Sequence, residues 1–348
     1  MNNPLCDFQD LPRFAQVHPE QVTPAIDALL AQARDCIEQV ATETAAPTWD
    51  NFIAPQTDVH EQLQRAWGVV GHLNAVVNSP QWREAYNENL GKITAYYTDI
   101  SQDPRLYART RALHADPAFA QLSAAQQSQI EHELRDFRLG GAELPPADKA
   151  RFAQIQAQLA QLSAKFEENL LDTMNDWVLW VEDRAQLAGI PEDVVAMFAQ
   201  AAAAEDRPNA WRISLHAPSY LPILQYASHR PLRETLYRAY ATRASEWGKP
   251  EWDNGVLIPQ ILALRQEEAH LLGFNNFGEL SLAAKMANTP AQVLHFLRDL
   301  AQRAKPFAQN DMAQLRAFAR DELGLESLDP WDIAYVSEKL RLARYAFS

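Results

Sequence analysis

Residues 154–166 read QIQAQLAQLSAKF. In this stretch the apolar residues Ile155, Leu159, Leu162 and Phe166 follow one another in steps of four and three, and Gln154, Gln156, Gln158 and Gln161 lie among them. Alternating steps of four and three place side chains on one face of an α-helix, in the heptad pattern. The stretch therefore predicts a helix with a narrow apolar seam.

The neighbouring sequence indicates how this seam is covered. A polar and charged helix is predicted over residues 124–139, and the glycines and prolines that follow it are typical of a turn. We therefore predict that residues 124–139 and 147–171 form an antiparallel hairpin closed through residues 140–146. A coiled coil that binds a partner protein is a second interpretation, but the seam is short for that role.

Prolines mark helix starts along the chain, which has 21 prolines and 11 glycines. A proline costs nothing at the first helical position, because its missing N–H would have no partner there. Between these starts the apolar residues keep helical spacing, so we predict an all-α, elongated multi-helix lobe. The prolines that follow a capping residue are found at Thr23-Pro24, Ser79-Pro80, Asp103-Pro104, Asp116-Pro117, Thr289-Pro290 and Asp329-Pro330.

One region favours β-strands. The runs Trp177–Val181 and Trp211–Leu215 are rich in β-branched and aromatic residues, and a short helical stretch lies between them. We predict that the two runs pair as a minor β-ribbon in an otherwise helical protein.

The composition excludes several functional classes. The 348 residues carry 31 basic and 45 acidic side chains, a net charge of -14, so nucleic acid and anionic membranes would not find the basic face that they require. The two cysteines, Cys6 and Cys36, form no disulfide framework, which fits a reducing compartment. The sequence contains no signal-peptide core and no stretch apolar enough to span a bilayer. We expect a soluble, cytoplasmic protein.

The last predicted helix begins at Asp329-Pro330-Trp331-Asp332. Asp329 can cap the helix, Pro330 suits its first position, and Asp332 lies where an acid reaches back to the cap. An apolar stripe follows, made of Ile333, Val336, Leu340 and Phe347. Because no Gly, Asn or Pro ends this helix, we expect the stripe to continue in a longer parent protein.

A search for catalytic motifs finds none that is recognisable. The sequence contains no glycine-rich phosphate loop and no Gly-x-Ser-x-Gly elbow. Cys36 is a conceivable nucleophile, but it lies on an apolar stripe, which favours a buried and inert thiol.

Two His-Glu dipeptides resemble half of a zinc motif. In His-Glu-x-x-His both imidazoles share one helix face, four residues apart, and the glutamate is the base. Here Gln64 stands four residues after His60, and Asp136 stands four residues after His132. Asp136 can bind zinc, but no third ligand is apparent, so a solvated helix face is the favoured interpretation of both dipeptides.

The remaining clusters favour structural roles. The paired carboxylates Glu167-Glu168 and Glu267-Glu268 lie on helix faces where charge is expected. Four aromatic residues favour core packing over a binding groove. They are Tyr237, Tyr240, Trp247 and Trp252. From the residues alone we assign no catalytic, cofactor-binding or metal-binding residue.

Several longer runs, spread in order along the whole chain, carry a resemblance to one family. They are Leu11–Phe14, Thr48–Asn51, His72–Asn74, Pro218–Pro222, Tyr237–Ser245, Ile261–Arg265, Leu272–Phe274, Ser281–Ala287, Pro330–Tyr335 and Ser337–Lys339. In these runs the chain resembles the N-terminal half of the thimet oligopeptidase family of zinc metallopeptidases. The runs mark the family but are not catalytic signatures.

The resemblance implies a cytoplasmic, mostly helical enzyme of two lobes, with a deep channel in which short peptides are hydrolysed. The family's zinc is held by His-Glu-x-x-His on one helix and a glutamate on the next, and the motif glutamate activates water. Tyrosine and histidine donors stabilise the oxyanion. None of these residues has a counterpart here, so we expect no zinc in this chain and no activity by itself.

The resemblance also implies a domain organisation. Residues 1–245 are predicted to form an N-terminal helical lobe with the hairpin at 124–172 and the ribbon at 176–216. Residues 246–348 are predicted to lead into a catalytic lobe that this chain lacks. The expected partners are short peptides, in the full-length enzyme, and that missing lobe.

An alternative is a non-catalytic peptide-binding or adaptor protein that is complete at this length. The coding sequence beyond Ser348 discriminates between the two hypotheses. An in-frame continuation into His-Glu-x-x-His would favour the enzyme, and a natural stop codon would favour the adaptor.

Overall fold

The computed structural model describes residues 3–345. Within this range the chain forms thirteen α-helices and one pair of β-strands, which confirms the predicted fold class. None of these helices combines the length and the apolar character that crossing a lipid bilayer requires. The elements are α1 Val22–Thr42, α2 Ala54–Val76, α3 Pro80–Ser101, α4 Pro104–Ala115, α5 Ala124–Leu139, α6 Pro146–Asp176, β1 Val178–Val181, α7 Glu192–Ala203, β2 Trp211–Ser214, α8 Ala217–Tyr226, α9 Arg230–Ala241, α10 Ile258–Leu271, α11 Phe277–Leu282, α12 Pro290–Leu323 and α13 Ile333–Tyr345.

Helices α3, α4 and α12 begin at the predicted prolines. At the start of α3, the Ser79 hydroxyl accepts a hydrogen bond from the Trp82 backbone N–H at 3.3 Å. Three starts differ from the prediction, and one of them is Pro330, which opens a 3-10 turn before α13. Helix α1 begins at Val22, two residues before Pro24, and Pro117 opens a short 3-10 helix instead of an α-helix. Pro24 is tolerated because it still lies in the first turn, where its N–H would have no partner.

The described chain folds into two compact units, and each is discontinuous in sequence. Unit 1 comprises the residues up to 164 together with 261–290, and unit 2 comprises 165–260 and the residues from 291 onward. The units do not follow the predicted boundary at residue 245, because α6 runs from one unit into the other. The predicted boundary concerns a longer protein with a second lobe, and for that protein it stays a prediction.

The core of unit 1 is built by α1, α2 and α3. Ile26 and Ala33 of α1, Leu63 and Val70 of α2, and Tyr96 of α3 are almost completely removed from solvent in one apolar cluster. Each fully buried Ile, Leu or Val side chain stabilises the fold by roughly 1.5–3 kcal/mol. This cluster holds α2 and α3 side by side, which positions the polar side chains of the pocket described below.

The packing of α5 differs from the prediction. Its main helix contacts in the described chain are with α3 and α4, not with α6. The reason is that α5 has an apolar face of its own. Ile130 packs in a cluster with Leu106 of α4, and Leu134 packs with Tyr107 of the same helix.

The turn after α5 is as predicted, and the seam on α6 is less buried than predicted. Gly140 caps α5, and a Cβ atom there would lie 2.4 Å from the Ser101 Cβ, so the chain can approach the end of α3 this closely only at a glycine. On α6, Ile155 is fully buried, whereas Leu159 and Phe166 are half-buried. The seam therefore contributes unevenly to the core.

The predicted β-ribbon is confirmed. Strands β1 and β2 are antiparallel, with Leu179 opposite Ile213 and Val181 opposite Trp211. Ile213 and Val181 are buried in the main apolar cluster of unit 2, which also contains Phe198 of α7. Two strands are marginal by themselves, so this ribbon depends on the helices that cover it.

The predicted helix start at Asp329 is also present. The Asp329 backbone N–H donates to the Asp332 carboxylate at 3.1 Å, and α13 follows after one 3-10 turn. Along the predicted stripe, Val336 is fully buried and Leu340 is half-buried. Phe347 lies outside the described residues.

Asp332 has a second role that the capping pattern does not reveal. Its carboxylate is fully buried and accepts a hydrogen bond from Arg233 Nη2 at 2.7 Å and another from Arg230 Nη2 at 2.7 Å. Arg233 is itself buried, and its guanidinium lies 4.1 Å from the centre of the Tyr335 ring. The start of α13 is thereby fixed to α9 within unit 2.

The backbone at Gly189, before α7, has a positive φ of 88°, and a Cβ atom there would lie 2.5 Å from the Tyr226 carbonyl oxygen. We expect Gly189→Ala to lower the free energy of unfolding by about 2–3 kcal/mol, since both the backbone and the contact become strained. The matched exchange Gly91→Ala, inside α3 with no atom within 4 Å of its Cβ, should raise it by about 0.5–1 kcal/mol. Denaturant unfolding measures both changes. Equal effects of the two variants would contradict the claim that the backbone and the close contact at Gly189 require a glycine.

Candidate functional site

A pocket opens in unit 1 between helices α2, α3 and α5, and we call it the α2–α3–α5 pocket. Its cavity volume is about 480 Å³, a size suited to a small organic molecule. Apolar surface comes from Ile100 of α3 and Phe137 of α5. The titratable side chains that line it are His60, Glu61, Tyr97, Glu133 and Asp136.

The structure brings parts of both predicted His-Glu dipeptides to this pocket. His60 and Glu61 line it from α2, and Glu133 lines it from α5 together with Asp136. His132 does not line the pocket and is exposed to solvent. The interpretation of the dipeptides as solvated helix faces therefore holds for His132 and Glu61, which are exposed, and is wrong for His60 and Glu133, which are partly buried.

These residues do not fit a zinc ion. Within residues 3–345, no three His, Cys, Asp or Glu side chains lie where they could hold a metal ion together. Asp136, the possible ligand in the second dipeptide, forms an ion pair with Arg135 at 2.8 Å. Gln64 occupies the position of the second histidine in the first dipeptide. We derive no metal-dependent step from this chain.

His60 is held in place by a buried tyrosine. Its Nε2 lies 3.0 Å from the hydroxyl oxygen of Tyr96. Burial lowers the pKa of His60 and is the main cause that raises the pKa of Tyr96. At neutral pH both side chains are therefore uncharged, and His60 brings no positive charge to the pocket.

Glu133 is the carboxylate in the pocket that has no cationic partner among the described residues. Burial raises its pKa, a hydrogen bond from the Gln129 side chain at 3.2 Å lowers it, and the nearby charge of Asp136 raises it. The other glutamate in the pocket, Glu61, lies 3.6 Å from the guanidinium of Arg65. Glu133 therefore has a neutral amide as its hydrogen-bond partner, whereas Glu61 has a positively charged guanidinium nearby.

Tyr97 places a buried polar group in the lining of the pocket. Its hydroxyl oxygen is buried and makes no hydrogen bond of normal geometry within the described chain. Burial raises the pKa of Tyr97, and the Gln64 side chain lies close enough to lower it somewhat. The phenol therefore stays protonated and can still accept or donate a hydrogen bond.

Cys36 is half-buried, and its thiol lies 3.4 Å from the Pro55 carbonyl oxygen. Burial raises the pKa of this thiol, and the charge of Asp58 raises it further. Because the thiolate is the nucleophile, these effects agree with the predicted inert thiol, although the side chain is less buried than predicted.

The carboxylate pair at residues 267 and 268 links two helices of unit 1. Glu267 of α10 accepts two hydrogen bonds from Arg151 of α6, at 2.6 and 2.7 Å, and Glu268 accepts one from Gln156 at 2.8 Å. These contacts hold α10 against α6, so the pair has a structural role and is more than a solvated helix face.

The four aromatic residues of unit 2 do not form one groove. Tyr237 and Tyr240 pack against the apolar core, as predicted, and Tyr240 stacks on Tyr220 with ring centres 4.0 Å apart. Trp247, in contrast, is 77% exposed. The core prediction therefore holds for the two tyrosines and is wrong for Trp247.

Comparison with protein families gives two matches along the chain. Residues 26–149 match the family described as Neurolysin/Thimet oligopeptidase, N-terminal domain. Residues 223–348 match Peptidase family M3. The first match covers the helices that form the α2–α3–α5 pocket, and the second includes the buried contact of Asp332 with Arg233.

Curated relatives align with the whole chain. Oligopeptidase A of Haemophilus influenzae is 44% identical over 350 residues, which cover 100% of this chain and 51% of that protein. Oligopeptidase A of Escherichia coli is 43% identical over 350 residues, with the same coverage. A probable cytosolic oligopeptidase A of Arabidopsis thaliana is 35% identical over 352 residues, 99% of this chain and 50% of that protein.

The chain spans about half the length of the curated relatives that it matches. The two family matches and these identities agree with the resemblance carried by the longer sequence runs. The chain therefore belongs to the M3 family of peptidases and carries the N-terminal domain found in neurolysin and thimet oligopeptidase.

Proposed function

We propose that this chain supplies the N-terminal half of an oligopeptidase A-like zinc metalloendopeptidase that hydrolyses short peptides. The observation that carries the proposal is the identity of 43–44% with two bacterial oligopeptidases A along the whole chain, over half of each relative. In this proposal the zinc ligands and the water-activating glutamate belong to the other half. The helices present here form one wall of the substrate channel, so they bind and orient the peptide.

An exposed apolar face on α12 supports the idea that more protein packs on this chain. Phe296, Leu300 and Phe307 lie four and seven residues apart, which places them on one side of the helix. Phe296 is 64% exposed and Phe307 is 73% exposed. Long apolar faces of this kind mark interaction surfaces, and we propose that the remainder of the longer protein covers this one.

The proposal also includes location and cofactor. We propose that the protein acts in the cytoplasm, a location supported by the cytosolic relative named above and by the absence of a disulfide framework in the sequence. We propose that zinc is the cofactor of the full-length enzyme only. Short peptides are its proposed substrates.

The test compares two proteins that share these 348 residues. We expect the chain by itself to show no turnover of a quenched fluorescent peptide above background, since the family's zinc ligands have no counterpart in it. A longer protein that extends beyond residue 348 into the other half should hydrolyse the same peptide, and a chelator should abolish that activity. A strongly helical circular dichroism spectrum of the 348-residue chain, as the thirteen helices within residues 3–345 require, would serve as the control for folding.

One result would overturn the assignment. If the 348-residue chain binds one zinc ion per molecule and hydrolyses the peptide in a chelator-sensitive manner, the catalytic residues lie within it. His132 and Asp136 would then be the first ligands to replace.

A further inference from the structure

The strongest unassigned feature of the molecule is the α2–α3–α5 pocket. We propose that it binds a small molecule with a primary ammonium group on an apolar body, and that the Glu133 carboxylate meets the ammonium group. The inference goes beyond the proposed peptidase function and does not rest on it, since the pocket lies wholly within unit 1.

The charge of the pocket selects a cation. Three carboxylates line it, those of Glu61, Glu133 and Asp136, and no Lys or Arg is found among its described lining residues. His60 is buried against Tyr96 and is neutral. A cavity with carboxylates and no internal cation has a negative potential, which attracts an ammonium group and repels an anion.

The position of the ammonium group follows from the partners that the three carboxylates already have within the chain. Glu61 has Arg65 nearby, and Asp136 has Arg135. Glu133 accepts one hydrogen bond from the neutral Gln129 amide, and its burial disfavours the charged form. An ionised carboxylate that is partly removed from water gains most from a cation placed against it, because that cation offsets the lost hydration.

The other residues that line the pocket favour a ligand whose remaining part is apolar and small. Ile100 and Phe137 offer apolar contact, and Tyr97 and Phe137 bring to the lining aromatic rings, a group that attracts cations. The Tyr97 hydroxyl, which makes no hydrogen bond of normal geometry within the described chain, can accept one from an ammonium N–H. A cavity of about 480 Å³ holds a molecule of this kind but not a folded partner.

Titration calorimetry with 2-phenylethylamine tests the proposal on the intact 348-residue chain. We expect saturable binding of one molecule with a dissociation constant in the millimolar range, as suits a ligand of this size. The neutral analogue 2-phenylethanol, which has the same shape, should bind at least about tenfold more weakly.

Phenylalaninamide adds the carboxamide of a peptide N-terminus. Tighter binding of that probe would identify peptides as the source of the ammonium group, and weaker binding would identify free amines.

Two isosteric variants locate the ammonium group. Glu133→Gln should weaken the binding of 2-phenylethylamine by about tenfold and leave that of 2-phenylethanol unchanged. The control Glu131→Gln removes the same charge from an exposed position on the same helix that does not line the pocket, and it should bind like the parent chain.

Three results would overturn the proposal. Equal affinity for the amine and the alcohol would show that no charge is recognised. Equal losses in Glu133→Gln and Glu131→Gln would show a long-range charge effect in place of a contact. Absence of binding by every probe up to about 10 mM, with both variants still folded, would show that the pocket is not a ligand site.

Discussion

Replacement of Asp332 by Ala is expected to lower the free energy of unfolding by about 3–5 kcal/mol, because it leaves a buried guanidinium without its counter-charge. Arg233 is almost fully buried and donates to the Asp332 carboxylate at 2.7 Å, and its Nε has no hydrogen-bond partner among the described residues. The same substitution removes the hydrogen bond that caps the Asp329 backbone N–H. Chemical denaturation followed by circular dichroism measures the loss.

The control for this prediction is Asp321→Ala. Asp321 also pairs with an arginine, Arg320, at 2.7 Å, but both side chains are exposed. An exposed pair of this kind contributes about 0–1 kcal/mol, so the control should unfold nearly like the parent chain. A loss of less than about 1 kcal/mol in Asp332→Ala would show that the buried pair does not hold α13 in place.

The effect of Asp332 should also depend on pH. Burial by itself raises the pKa of this carboxyl, but hydrogen bonds from Arg230, Arg233 and the Asp329 backbone together hold the pKa below its ordinary value. A carboxyl with a lowered folded-state pKa contributes stability that is fully present above the unfolded value of about 3.9. This contribution is lost as the pH falls through the folded-state value. The difference between the parent chain and Asp332→Ala should therefore be constant near neutral pH and shrink in acid.

Replacement of Ile155 by Asp is expected to cost more than about 4 kcal/mol, enough to unfold much of unit 1, because it removes a buried side chain and buries an unpaired charge. Ile155 is completely removed from solvent on α6. Leu159, on the same predicted seam, is half-buried, so Leu159→Asp should cost about 1–2 kcal/mol. The exposed neighbour Gln158 provides the control, since Gln158→Asp should change stability by about 0.5 kcal/mol or less.

Hydrogen exchange combined with thermal unfolding measures this series. We expect the loss of protection in Ile155→Asp to be centred on the helices of unit 1. Equal costs at residues 155 and 159 would mean that the whole seam is buried evenly, as the heptad pattern by itself predicts. The uneven burial described above would then be contradicted.

The α2–α3–α5 pocket was predictable from the sequence only in part. The two His-Glu dipeptides resemble part of a zinc motif, and three of their four residues line one pocket. Their spacing indicates a metal site, but within the described residues no group of three such side chains could hold a metal ion. Tyr97 could not be found in this way, since nothing within one turn of it indicates that its hydroxyl is buried without a partner.

The sequence by itself determined the helical class, the starts of α3, α4, α5 and α12, the β-ribbon and the family. The first three features depend on residues within a few positions of one another, such as the Ser79 cap before Pro80. The family is indicated by the longer sequence runs that carry the resemblance. The tertiary structure decided which helices meet. It placed α5 against α3 and α4, and it joined Arg233 to Asp332 across 99 positions. Local patterns cannot specify such contacts, because the burial of a face depends on every other apolar face that competes for it.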